Sequence, residues 1–276
     1  MKIKSIFIKN YKALKDFNID FCDTEGIVNP ITVISSINGS GKTTLLEFIN
    51  YVFNEKKMPR SNSKSYINVI QDDLILGNAN SNYRLTNEFL NYKRVSTYLL
   101  SNIFHYYKGN TINGLVSTQF ADLAIVNFID ELIYEKDIRG SEAYNELRKI
   151  LNEISKNLKL NVEFDHLDKN KEIYFKNEQS NKIKLEDLSD GEKEIITKIF
   201  PLYISNFKDN LILIDQPESS LHPTWQNEII NLYEEIAVKD NIQIIITTNS
   251  PHIISTVKKE YLKTLKKENG VIKVVE

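Results

Sequence analysis

Ser36-Ile37-Asn38-Gly39-Ser40-Gly41-Lys42-Thr43 is the stretch that decides how this chain is read. It follows a short β-branched run, Ile31-Thr32-Val33-Ile34. It opens a segment from Lys42 to Phe53 in which Leu45, Leu46, Ile49 and Phe53 recur at helical spacing. Strand, glycine loop and helix in that order are the context a phosphate-binding loop requires. The small residues among Asn38, Gly39, Ser40 and Gly41 let backbone N–H groups close around phosphate oxygens, and the helix start adds a positive partial charge. Lys42 is then expected to reach the β- and γ-phosphates, with Thr43 as a Mg2+ ligand and Thr44 beside it. Ser36 stands where the usual first glycine lies.

Working outward, Ile3 to Phe21 alternates apolar and polar residues, which predicts two strands joined by a turn near 10–15. Residues 55–182 are less regular. Within them Leu147, Ile150, Leu151, Ile154 and Leu158 predict a helix, and short strands are expected around 162–164 and 173–175 with a turn near 168–170. The last third returns to strand–helix alternation: Leu211–Ile214, a helix from about Trp225 to Val238, then Ile242–Ile246. Such alternation implies an α/β fold with a largely parallel sheet and covered faces.

Three further segments carry chemistry. Leu188-Ser189-Asp190-Gly191-Glu192-Lys193, taken alone, is also what a serine-capped helix start looks like. Leu211-Ile212-Leu213-Ile214-Asp215-Gln216-Pro217-Glu218 is an apolar strand ending in an acid, and it continues through Leu221, His222 and Pro223. Ile244-Ile245-Ile246-Thr247-Thr248-Asn249-Ser250-Pro251 is a buried-looking strand with a polar tip.

Taken in order, Ile8-Lys9-Asn10-Tyr11-Lys12, the phosphate loop, L-S-D-G-E, D-Q-P-E-x-x-L-H-P and T-N-S-P resemble the RecF/OLD-like branch of ABC-type ATPases, which includes AAA-family ATPase subunits of bacterial antiphage systems. The resemblance covers roughly residues 1–54 and 183–257. It implies an ABC-type P-loop NTPase with a mixed or parallel sheet core, 1–54 and 183–276, interrupted by a mainly helical lobe with short strands, 55–182. It implies ATP and Mg2+ as cofactors, with the metal held at Thr43 and Asp215. It also implies a homodimer closed by ATP, in which Ser189, Asp190, Gly191 and Glu192 of one subunit face the nucleotide of the other. Glu218 and His222 then lie in the region bordering the neighbouring site. Lys12 falls where relatives border the nucleotide, and Gln71 and Gln119 both qualify by type as the glutamine between loop and lobe.

Two positions depart from the family. Gln216 stands where the Glu that polarises the attacking water is usual, and an amide cannot accept that proton. The exchange reads either as a deliberate trap of the ATP-bound state or as a naturally slow ATPase; in a third reading Glu218 is the base. Asn249 replaces the usual switch histidine: it can donate a hydrogen bond to a γ-phosphate oxygen but supplies no positive charge. His252 reads as a solvent-facing or capping residue.

The net charge of −2, with 26% charged residues spread along the chain, gives no global electrostatic case for nucleic acid. The single cysteine, Cys22, excludes an internal disulfide or a cysteine-built zinc site and reads as a buried thiol. No apolar run approaches the ~20 residues that span a bilayer, and Met1-Lys2-Ile3-Lys4-Ser5 reads as a strand, so no membrane is expected and the cytoplasm is the expected compartment. The chain ends soon after Asn249, and no nuclease metal cluster is visible. With the resemblance to antiphage ATPase subunits, the expected function is an ATPase subunit that scaffolds or gates a separate effector, a nuclease or toxin, in a defence complex. The partner is expected to contact the lobe, where Tyr92, Tyr98, Tyr106 and Tyr107 lie, or the dimer surface it frames; Phe104-His105-Tyr106-Tyr107 reads as lobe packing or as a stack for a base. The alternative is a RecF-like DNA-repair clamp on nucleic acid. Replacing Gln216 with Glu is expected to raise ATP hydrolysis by roughly 10²–10⁴-fold in a phosphate-release assay, the usual worth of a positioned base.

Overall fold

The computed structural model describes residues 2–55, 65–71, 74–76, 106–108, 111–112, 115–116, 125–204, 211–218 and 221–275. The strands in chain order are β1 (Lys2–Tyr11), β2 (Leu14–Asp20), β3 (Ile31–Ser35), β4 (Tyr66–Gln71), β5 (Leu74–Leu76), β6 (Tyr106–Lys108), β7 (Thr111–Ile112), β8 (Leu115–Val116), β9 (Val162–Leu167), β10 (Ile173–Asn177), β11 (Lys182–Lys184), β12 (Leu211–Asp215), β13 (Gln243–Thr248), β14 (Leu262–Glu268) and β15 (Val271–Val275). The helices are α1 (Lys42–Glu55), α2 (Gly140–Asn157), α3 (Asp190–Ile204), α4 (Pro223–Lys239) and α5 (Pro251–Thr256), with a π-turn at Glu131–Glu135. The chain divides into two compact units: 1–109, 207–218 and 233–276 form one, and 110–206 with 219–232 form the other.

The first unit is built on β3, β12 and β13, whose residues are buried along their whole length. Runs such as Ile31-Thr32-Val33-Ile34 and Ile244-Ile245-Ile246 suit a parallel sheet covered on both faces. Their order is β15-β14-β3-β13-β12-β6, parallel from β14 to β6, with β15 antiparallel at the edge. A second, antiparallel sheet runs β2-β1-β4-β5. Its β1–β2 hairpin turns at Lys12, which adopts φ 49°. Ile3, Ile6, Ile8, Phe17, Ile19, Leu45, Ile49, Leu213 and Ile245 share one apolar core, so both sheets and α1 are packed together.

One polar side chain joins the two sheets. Gln243, fully buried, accepts from the Ile3 N–H at 2.6 Å and donates to the Ile3 carbonyl at 2.9 Å. Its amide thus pairs with a backbone as a neighbouring strand would, next to the register shift between Ile3 and Ser5.

Two features of this unit were not anticipated from sequence. Tyr66–Gln71 lies within the span read as the lobe, yet pairs with β1 from Lys2↔Ile70 to Phe7↔Tyr66. The hairpin β14–β15 follows the last motif and adds the sheet edge. Cys22 is buried, its Sγ lies 3.9 Å from the Lys4 carbonyl, and burial pushes its thiol up to about 12, consistent with a packing role.

In the second unit α2 presents Ala143, Leu147, Leu151 and Ile154 as a buried stripe and packs on β9 and α3. Strands β9, β10 and β11 make an antiparallel sheet whose Phe164 and Phe175 rings meet edge to face. The predicted turn between β9 and β10 is closed by Asp168, whose Oδ1 accepts from the Asn170 and Glu172 N–H groups. Among the described residues no helix is long and apolar enough to cross a membrane. Truncating Ile245 to Ala in the central strand is expected to cost roughly 2–5 kcal/mol, read as a lower urea midpoint with an unchanged slope.

Candidate nucleotide-binding site

All the groups gathered at the phosphate loop belong to the first unit. The loop leaves β3 and enters α1, and the two glycines supply backbone that other residues avoid: Gly39 at φ +81° and Gly41 at φ +85°. A Cβ on Gly41 would lie 2.9 Å from the Ile272 side chain and 3.0 Å from Leu14, so the loop rests on the C-terminal hairpin and the first hairpin. Ser40, 2% exposed, donates its hydroxyl across the loop to Ser36 Oγ and the Ile37 carbonyl.

Lys42 is 5% exposed. Its ammonium donates to the Ser36 carbonyl at 2.9 Å, Ser36 Oγ at 3.0 Å and Asn249 Oδ1 at 2.5 Å, with the Ile37 carbonyl at 3.4 Å. Burial lowers its pKa from the ordinary lysine value, opposed by the charges of Asp215 and Glu218. Ser36, which sequence showed only as a missing glycine, is therefore a ligand of the lysine in its own right.

Thr43 Oγ1 donates to Asp215 at 3.0 Å. Asp215, at the end of β12 and 5% exposed, also accepts from Thr247 Oγ1 on the adjoining strand. The sequence reading did not single out Thr247; β12 and β13 run in register, Asp215 opposite Thr247, and the parallel pairing places it. This donor set fits a magnesium ion: one hydroxyl and one carboxylate, both hard oxygens, of the kind that bind Mg2+ when phosphates and water complete an octahedron. Thr44, half-buried, follows in α1.

Beyond Asp215 the chain turns sharply. Gln216 adopts φ 53°, and its N–H donates to the Thr247 carbonyl at 2.9 Å. Glu218 Oε1 accepts from the Asn249 N–H at 2.8 Å. The Asn249 amide, besides accepting from Lys42, donates to Asn38 Oδ1 at 2.8 Å. The phosphate loop with Asn38 and Lys42 is thus joined to Glu218 and Asn249, from two distant segments.

The remaining expected residues are placed elsewhere. Lys12 pairs with Glu47 at 2.6 Å on the surface, and the hydrogen bond to that carboxylate raises its pKa. His252 is exposed and its N–H donates to Ser250 Oγ, the cap of α5. In the second unit, Ser189 caps α3 in a reciprocal box. Its hydroxyl donates to Glu192 Oε2 at 2.6 Å, the same oxygen accepts from the Ser189 N–H at 3.1 Å, and the Glu192 N–H reaches Ser189 Oγ at 3.4 Å. Asp190 is exposed and Gly191 buried within its first turn. His222, exposed, bonds Thr224 Oγ1 at the start of α4 and meets the Trp225 ring edge to face. Gln71 closes β4 opposite Leu74. Tyr106 and Tyr107 belong to β6, paired with Leu213 and Ile214. Gln119, Tyr92, Tyr98, Phe104 and His105 lie outside the described residues.

Comparison with known proteins places this geometry. A family profile described as "AAA domain, putative AbiEii toxin, Type IV TA system" matches residues 53–255, and one described as "AAA ATPase domain" matches residues 1–98, which hold the phosphate loop. Septu protein PtuA of Bacillus mycoides (strain KBAB4) is 27% identical over 282 residues, covering 90% of this chain and 38% of that protein. Retron Vc95 probable ATPase of Vibrio cholerae serotype O1 biovar El Tor is 31% identical over 94 residues, 30% of this chain and 18% of that protein. The chain thus spans well under half the length of these curated relatives. Among solved structures, the SmcHead bound to the C-winged helix domain of ScpA superposes with a TM-score of 0.68 at 18% identity, covering 100% of this chain and 97% of that one. The SMC head domain from Thermotoga maritima gives 0.59 at 18% identity, covering 100% and 98%. The fold is that of an ABC-type, SMC-head-like P-loop ATPase. Gly41→Ala, strained at positive φ and crowded by Ile272 and Leu14, is expected to cost about 1–3 kcal/mol, seen as a lower thermal midpoint.

Proposed function

The chain belongs to the AAA-domain family whose profile matches residues 53–255, and on that premise we propose that it is a Mg2+–ATP-binding subunit. It dimerises around the nucleotide and gates a separate effector in a bacterial defence complex. The observation that carries the reading is the joint placement of the Lys42 ammonium, the Thr43 hydroxyl and the Asp215 carboxylate on one loop and one strand end. Lys42 and the loop N–H groups bind phosphate oxygens; Thr43 and Asp215 hold the cation; Asn249 offers an amide N–H to the outermost phosphate. When bound, Mg2+–ATP supplies the anionic charge that a buried lysine calls for and a hydrolysable anhydride bond.

Turnover in this reading is slow, because Gln216 has no proton-accepting oxygen to match a carboxylate. Ser189 and Gly191 act in trans: the start of α3 presents backbone and dipole to the partner's nucleotide, the ordinary way a helix N-terminus meets an anion. The effector is a separate protein that grips the segment 55–182 or the dimer surface it frames. The similarity to Septu PtuA and to retron ATPases supports the defence setting.

The test is nucleotide binding and mass by light scattering. The unaltered chain is expected to bind ATP with Mg2+ and to double its mass, with kcat far below the ~10 s⁻¹ median of enzymes. Lys42→Ala abolishes binding. Gly191→Arg leaves binding and folding intact but blocks the ATP-dependent doubling. A Gly191→Arg variant that doubles normally sinks the two half-site arrangement, and an unaltered chain that binds no nucleotide sinks the reading.

A further inference from the structure

Glu218 is a carboxylate to which the reading above gives no task. Its Oε1 accepts from the backbone N–H of Asn249. Its Oε2 is buried and has no hydrogen-bond partner among the described residues. A buried carboxylate oxygen without a hydrogen bond works against folding, a cost that the charge of Lys42 offsets in part. The chain also bends to bring it in: Gln216 takes a left-handed backbone, φ 53°, and donates its N–H to the Thr247 carbonyl, two residues before Asn249. The segment after β12 is therefore tied to the end of β13 at two points, Gln216 to Thr247 and Glu218 to Asn249.

What Glu218 fixes is the backbone of a residue whose side chain spans the phosphate loop. Asn249 Oδ1 accepts from Lys42 and Asn249 Nδ2 donates to Asn38. A phosphate-loop lysine reaches the β- and γ-phosphates. An oxygen of a third phosphate therefore competes with Asn249 Oδ1 for the ammonium and finds Nδ2 as a donor close by. A diphosphate still meets the ammonium through its β-phosphate but brings no third-phosphate oxygen to Nδ2. How well the amide performs depends on how firmly its backbone is held, and hydrogen bonds to a carboxylate are the stronger kind.

We infer that Glu218 is a positioning residue that anchors Asn249 so that the site tells a nucleoside triphosphate from a diphosphate. The inference rests on the nucleotide-binding reading above. It assigns Glu218 no part in proton transfer: its role runs through Asn249.

The experiment measures the dissociation constants of ATP and ADP, with Mg2+, by displacement of a fluorescent nucleotide from the full chain. The unaltered chain is expected to prefer ATP. Glu218→Ala is expected to lower that preference about tenfold by weakening ATP, with ADP affinity within about twofold, the scale of one lost hydrogen bond to a charged group. Glu218→Gln, which keeps an acceptor oxygen of the same shape, stays within about threefold of the unaltered preference. Asn249→Ala lowers the preference as Glu218→Ala does, and the double variant falls no further, because the two residues act as one unit. Equal weakening of ATP and ADP by Glu218→Ala, an unmoved preference, or additive losses in the double variant overturn the positioning role. If Glu218→Ala does not fold, Asn249→Ala against Glu218→Gln decides: loss in the first and retention in the second support the role, and any other pattern overturns it. An unaltered chain that binds neither nucleotide is the failure of the nucleotide-site reading. Binding of both without a Glu218-dependent preference is the failure of this inference alone.

Discussion

An ammonium withdrawn from water must be met by acceptors, and at Lys42 the surrounding chain is arranged to provide them. Ser36 gives two, its carbonyl and its hydroxyl; Asn249 gives a third. The loop cannot open without stripping the lysine, nor can the end of β13 drift without removing one of its partners. The carboxylates of Asp215 and Glu218 counter the burial cost from a little farther off. Local backbone choices follow from this constraint: positive φ at Gly39 and Gly41 wraps the loop tightly, and positive φ at Gln216 folds the tail of β12 back toward β13.

The signature segment shows how one set of residues can satisfy folding and still suit recognition. Ser189 and Glu192 close a reciprocal capping box at the start of α3. A serine-capped helix start and a γ-phosphate-facing motif predict the same residues at the same spacing, because both need a helix N-terminus with a small polar side chain before it. The cap accounts for the geometry without any nucleotide.

What was legible in the sequence was whatever depends on neighbours in the chain. The phosphate loop, the buried runs of β3, β12 and β13, the helix of residues 140–157 and the turn at Asp168 all declare themselves through spacing or turn chemistry. What was not legible depends on pairing between distant segments. Tyr66–Gln71 alternates weakly, and its pairing with β1 and β5 is what makes it a sheet strand. Thr247 becomes a partner of Asp215 only through the register of β12 with β13. Glu218 and Asn249 lie 31 residues apart, and no local pattern links them. The hairpin of Leu262–Val275 carries no motif, and it takes its place through the pairing of β14 with β3.

Gln243 carries a consequence of a different kind. Its amide is buried between Ile3 and the start of β13, and both of its hydrogen bonds close on the backbone of the first strand. If the N-terminal sheet frayed first, this amide would be left dry and unpaired beneath the parallel sheet, a state costlier than either sheet intact or both undone. The first strand is here linked energetically to the innermost strand. The two sheets should accordingly melt as one cooperative foldon, with hydrogen exchange at Ile3 as slow as at Ile245.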